Sequence, residues 1–201
     1  MERTKFTNRK SQEGQRFKAD YIPYDQASIK GNELLWGDHP VIGFYIIFSI
    51  NTGLRVSDVL SRKHSELMNL KPGDDLVVTE KKTKKAREIQ INAKIIEAYK
   101  YLVSKLVKYN PDDFIFKSRK KTVYAIESLN TILKEVFKGY AQHISTHSLR
   151  KAFGRKIYEN CGRSEDALIY LSEIFQHSSL KVTRIYLGIR KEELKNIYMN
   201  L

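Results

Sequence analysis

The stretch Val41 to Ile50, VIGFYIIFSI, constrains this chain more than any other, because a helix built from it is apolar on all sides. It is too short to span a bilayer, so it belongs at the buried centre of a folded domain. Its flanks agree with a helix. Asp38-His39-Pro40 reads as a start, with Asp38 as N-cap and Pro40 in the first turn, where its missing N–H needs no partner. Asn51-Thr52-Gly53 reads as the stop, Gly53 taking the left-handed turn.

The remaining pattern supplies elements to wrap this helix. Apolar residues recur at helical spacing from Ala93 to Tyr109 (Ile95, Ile96, Tyr99, Leu102, Val103, Leu106, Val107) and from Thr122 to Phe137 (Leu129, Ile132, Leu133, Val136). Two short β-rich runs, Leu76 to Thr79 and Glu88 to Ile91, bracket a hairpin whose tip is rich in lysine. Ser145 enters a helix that runs to about Asn160, and Ser164 caps another that carries Leu168, Leu171 and Phe175. Leu194, Ile197, Tyr198 and Leu201 form a stripe on a short C-terminal helix, which packs at home or on a neighbour. The sum predicts a mainly α protein with a small antiparallel β-sheet, an α+β chain.

Charge points to a partner. With 36 Lys+Arg against 23 Asp+Glu the net charge is +13, which fits a polyanion, nucleic acid first. The basic residues are spread through the chain rather than along one amphipathic face, which disfavours a membrane surface. The single Cys161 suits a reducing compartment, and MERTKFTNRK has no apolar signal core, so the expectation is a soluble, cytoplasmic protein. Residues 1–36, with Arg3, Lys5, Arg9, Lys10, Arg16 and Lys18, read as a basic arm ahead of a domain at 37–201. The arm is either a solvated tail or a strand that lies on phosphates.

Several polar residues stand out against this scaffold. Arg55 follows the Gly53 turn, and by itself suits a salt bridge with Asp58 one turn on. His147 and Arg150 lie three apart and share a helix face. His177 precedes Tyr186 by nine residues. A tyrosine hydroxyl, with its pKa near 10, attacks only where strong positive charge surrounds its target.

Taken together, Arg55 in TGLRVSD, Lys82 in KKTKK, the box His147-Ser148-Leu149-Arg150 and the ending HSSLKVTRIY resemble the catalytic domain of the tyrosine recombinases, or phage-type integrases. Order and intervals match over roughly residues 37–190. The resemblance implies a site-specific DNA strand transferase. In it Arg55 and Arg150 hold the non-bridging oxygens of the scissile phosphate, and His147 does acid/base work. His177 donates to the same phosphate, and Lys82 protonates the leaving 5′ oxygen, with Lys81, Lys84 and Lys85 as rivals. Tyr186 becomes a 3′-phosphotyrosine. Lys81, Lys84, Lys85 and Arg87 would contact DNA, and Asp58 would orient Arg55 or a neighbouring basic side chain.

The resemblance further implies no metal and no cofactor. Its substrate is double-stranded DNA in integration, excision or inversion of a phage or mobile element. The working form is a homo-tetramer on synapsed sites, monomeric when free, with the C-terminal helix exchanged between subunits and host DNA-bending or accessory proteins assisting. Two departures stand out. Gln176 replaces the glycine usual before this histidine, and the helical DNA-clamping domain that usually comes first is absent, as in a minimal recombinase or a catalytic fragment. The alternatives are a type IB topoisomerase, which shares the chemistry, and an inactive DNA-binding regulator of the same fold. Tyr158, Tyr170 and Tyr198 lack the histidine at the family interval.

Overall fold

The computed structural model describes residues 19–201, apart from residues 83 and 107 and the side chain of residue 191. The cations of the arm, Arg3 to Lys18, lie outside the described residues. Among those described, the order is α1 (Tyr24–Trp36), α2 (Pro40–Thr52), α3 (Val56–Leu60), β1 (Asp75–Thr79), β2 (Ala86–Gln90), α4 (Ala93–Ser104), α5 (Ile126–Val136), α6 (Thr146–Asn160), α7 (Glu165–Phe175), α8 (Leu180–Leu187) and α9 (Ile189–Met199). The fold is mostly helical with one two-stranded antiparallel sheet, as the sequence leads one to expect.

Helix α2 is the central element, buried from Ile42 through Ile50, and α1, α4 and α6 pack around it. Its N-cap is His39 rather than Asp38, with no side-chain cap bond, and Pro40 opens the first turn. Gly53 ends it in the left-handed region at φ 60°.

The reading of residues 24–36 as arm is corrected, because they form α1. Its buried face is Ala27, Gly31 and Leu35, a four-residue spacing in which two of the three positions are small and escape a search for large apolar residues. Those small residues let the backbones of α1 and α2 touch. A Cβ on Gly43 would lie 2.2 Å from the Leu35 backbone nitrogen.

Helices α4 and α5 are shorter than their apolar stripes suggest. In α4 the Ser104 hydroxyl donates to the Tyr101 carbonyl at 2.8 Å, and the Lys105 N–H turns back to Leu102 and Val103. Before α5, Val123 pairs in a β-bridge with Lys117.

The core has two parts. The larger gathers α1 to α6 and the sheet, and the smaller holds Tyr158, Ala167, Leu168, Leu171, Phe175, Leu187 and Ile189 between α6, α7, α8 and α9. The carboxylates of Glu192 and Glu193 on α9 pair with Arg155 and Arg184, while Leu194, Ile197 and Tyr198 face outward, Tyr198 at 74% exposure. No helix among the described residues is long and apolar enough to cross a membrane.

Candidate active site

The smaller core carries polar residues on its rim, and they converge on Phe175, the last residue of α7. Arg55, delivered by the Gly53 turn to the N-cap of α3, donates from Nη2 to the Phe175 carbonyl at 3.2 Å. Arg150, on the second turn of α6, donates from Nη2 to the same carbonyl at 3.4 Å and from Nη1 to the Gly53 carbonyl at 2.6 Å. Its guanidinium also stands 4.6 Å over the Phe175 ring. Arg150 is only 5% exposed, and burial together with Arg55 and Arg87 draws its pKa down to about 10, against the pull of Tyr186 and Glu80. Two cations held this close are a receptor for an anion.

Tyr186 lies on α8, edge-on to Phe175 at 5.4 Å and to His177 at 5.1 Å between ring centroids. Its hydroxyl is buried and finds no hydrogen-bond partner of ordinary geometry among the described residues. Burial pushes its pKa up to about 12, opposed by Arg150 and then Arg55, whose charges favour the phenolate although no donor lines up on the oxygen.

His177 is fixed by Thr183, whose Oγ1 lies 3.0 Å from Nδ1. Gln176 before it adopts the left-handed conformation, φ 55°, that glycine would take more cheaply, at a cost of about 1–2 kcal/mol. The His177 N–H bonds back to the Ser172 carbonyl at 2.9 Å, so the turn is made in spite of the substitution.

His147 is exposed in the first turn of α6, which Ser145 caps in a reciprocal box with Ser148. A cleft of ≈ 440 Å³ has His147, Lys151 and Tyr186 in its wall. Both site histidines have pKa values below the imidazole norm. Desolvation is the main cause in each, followed for His147 by Arg150, Lys151 and Arg55, and for His177 by Arg150 and Arg55.

The structure therefore brings Arg55, His147, Arg150, His177 and Tyr186 together. Lys82 lies exposed on the turn of the β1–β2 hairpin. The side chains of Lys81, Lys84 and Lys85 are exposed on the same turn, Lys84 with φ 60°. Two expectations are corrected. Arg87 does not reach outward to DNA: its register opposite Val78 turns it inward, where it donates to the carbonyls of Ile174 at 3.1 Å and Thr52 at 3.4 Å. Asp58 does not hold Arg55 either. It is fully buried, and its Oδ1 accepts the Lys81 backbone N–H at 2.9 Å, at the root of the hairpin.

Arg55 is paired instead with Glu80, which sequence reasoning missed. The signal was there: Glu80 directly follows β1 and continues the alternation of its buried residues Leu76 and Val78, so a carboxylate stands where a core residue is due. Lys151 was also missed, although it lies four residues after His147 on the same helix face; its ammonium sits 5.1 Å from the Tyr186 ring centroid. Tyr158 is in the smaller core, and Tyr170 and Tyr198 are exposed away from the cluster. Among the described residues no group of three or more His, Cys, Asp and Glu side chains could hold a metal ion.

Residues 43–193 match the phage integrase family. The chain is 34% identical over 158 residues to the probable integrase/recombinase YoeC of Bacillus subtilis (strain 168), covering 77% of this chain and 81% of that one. It is 28% identical over 153 residues to the TnP I resolvase of Bacillus thuringiensis, covering 72% of this chain and 49% of the relative. The XerC recombinase of Leptospira interrogans is likewise 28% identical over 153 residues, and there the match covers 74% of this chain and 46% of the relative, so the chain spans about half the length of these two. Among solved structures, the XerA recombinase superposes with a TM-score of 0.68 at 20% identity, covering 96% of this chain and 66% of that one. A lambda integrase dimer bound to a COC′ core site gives 0.58 at 16%, covering 87% and 49%. By the extent of the family match and the identity to YoeC, the chain belongs to the phage integrase family, the tyrosine recombinases.

Proposed function

We propose that this chain is a site-specific DNA recombinase that cuts and rejoins strands of double-stranded DNA through a 3′-phosphotyrosine at Tyr186. The observation that carries the reading is the convergence of Arg55 and Arg150 on one point, the Phe175 carbonyl, with Tyr186 and His177 packed against the same residue. A scissile phosphate offers two non-bridging oxygens to two such forks, and the charge that builds there in the transition state is what they stabilise.

Tyr186 is protonated at neutral pH, so its proton must leave as the oxygen attacks phosphorus. His147 is neutral there and receives it. The P–O5′ bond breaks, and Lys82 gives a proton to the departing 5′ oxygen once the hairpin closes on DNA. The products are a 3′-phosphotyrosine and a free 5′ hydroxyl. Attack by a 5′ hydroxyl from a second strand reverses the steps and joins the new partner. The exposed apolar residues of α9 suit exchange between subunits in a tetramer on two synapsed sites.

The reading is tested with nicked duplexes that trap the cleaved strand and with a plasmid that carries two copies of the site. A detergent-resistant protein–DNA adduct and exchange between sites are the expected results. Relaxation without exchange would move the chain to the topoisomerase class, and absence of any adduct would refute strand cleavage.

The depressed histidine pKa values give a pH dependence with a definite sign. A base with a lowered pKa stays competent below the ordinary imidazole value of about 6.5. Cleavage should therefore be level from about pH 8 to 7 and decline only as His147 takes up a proton below that value. A rate profile whose acid limb has its midpoint above about 6.5 would remove His147 from the role of base.

A further inference from the structure

Glu80 has no place in the reaction as described, and it occupies the least expected position in the chain. It is fully buried just past the end of β1, where it continues the alternation of the inward residues Leu76 and Val78. A carboxylate there is costly to bury unless cations and hydrogen bonds compensate for the lost water. Its compensation is specific: one oxygen pairs with Nη1 of Arg55 and the other lies 3.9 Å from Nη1 of Arg87.

The same residue is the first of the hairpin turn. Its N–H donates to the Lys85 carbonyl at 3.0 Å, and its carbonyl accepts the Lys84 N–H at 2.9 Å. The next residue, Lys81, is tied through its N–H to Asp58 on α3, the helix that Arg55 begins. Two adjacent hairpin residues thus grip Asp58 of α3 and Arg55 at its N-cap, and Lys82 follows immediately. Free rotation of an arginine fork would spoil alignment on a phosphate, and a mobile hairpin would deliver its lysine to many places.

We propose that Glu80 is a positioning residue that fixes Arg55 and the lysine hairpin as one unit, so that the arginine on the non-bridging oxygens and the lysine at the leaving oxygen are aligned together. This rests on the strand-cleavage reading of the site. Glu80 touches no reacting atom; it acts through Arg55 and through the turn that carries Lys82.

The test compares wild type, Glu80→Gln and Tyr186→Phe in single-turnover cleavage of a nicked duplex that carries the cognate site. Three forms of the scissile linkage are used. The ordinary phosphate requires both aligned groups. A methylphosphonate lacks one charged non-bridging oxygen and so asks less of Arg55, and a 5′-bridging phosphorothiolate leaves as a thiolate that needs no proton from the hairpin.

Glu80→Gln should cleave the ordinary phosphate about tenfold to a hundredfold more slowly than wild type, the range typical of an outer positioning contact. Binding to the duplex should be unchanged, and the defect should shrink on both altered linkages. A merely structural role would lower all three rates by one factor. If Glu80→Gln fails to fold by thermal unfolding, Glu80→Asp, which keeps the charge and shortens the reach, should show the same pattern with a smaller defect.

A defect that shrinks on one altered linkage alone overturns the coupling. A defect equal on all three, or none, overturns the positioning role. No adduct from the wild type on any linkage overturns the cleavage reading and this inference with it, whereas normal wild-type cleavage beside either of the preceding results overturns this inference alone.

Discussion

Tyr186→Phe should lose all covalent adduct on trapping substrates while folding at least as stably as the wild type. The two effects have opposite signs and one cause. The hydroxyl is buried and, among the described residues, has no hydrogen bond of ordinary geometry, only the nearby Arg150 guanidinium, so its desolvation cost is poorly repaid there. Removing it while leaving the ring against Phe175 and His177 should raise stability by about 1 kcal/mol. For a chain of this size that is about 2–4 °C in Tm. The same oxygen is the only part of the side chain that can attack phosphorus, and none of the other tyrosines considered lies in the cluster. Thermal unfolding and adduct trapping on one preparation read both effects. Residual adduct would point to a second nucleophile, and a fall in Tm would mean that the hydroxyl has a partner in solution.

Gly43→Ala should be among the most damaging single-methyl substitutions in the chain. The added Cβ would lie 2.2 Å from the Leu35 nitrogen, 2.5 Å from its Cα and 2.6 Å from the Gly31 carbonyl oxygen. All three are backbone atoms, so no side chain can rotate away and α1 must lift from α2. Overpacking of a well-packed site costs about 1–3 kcal/mol, and this contact belongs at or above the upper end. The expected loss is about 6–12 °C in Tm, read by calorimetry or circular dichroism. The hydrogen bond between Tyr24 on α1 and Asn51 at the end of α2 should weaken with it. A change under about 2 °C would show that α1 does not press on α2 as described.

That contact also explains where the sequence could be read and where it could not. Helix α2 was legible because uniform apolarity admits one burial state, and Arg55, His147, Arg150, His177 and Tyr186 were legible because their order and spacing carry the family pattern. Helix α1 was hidden because it binds through Ala27 and Gly31, whose packing depends on the absence of side-chain atoms. Arg87 was taken for an outward cation because lysines surround it. Only the register against β1 decides which way it faces, and register is a tertiary fact. Asp58 was placed beside Arg55 by helical spacing, yet a hairpin more than twenty residues later captures it. Glu80 was readable in principle from the alternation of Leu76 and Val78, had its charge not drawn it into the basic turn that follows.

Phe175 has a consequence for how substitutions combine. Its ring meets Arg150, Tyr186, His177 and Phe153, and its carbonyl takes a donor from each site arginine. Residues braced on one shared support do not contribute independent increments. Disturbing any one of them shifts the common support, and the first loss already contains part of the second. The damage from paired substitutions in this cluster should therefore fall short of the sum of the single ones, so that no single variant measures one residue's own share.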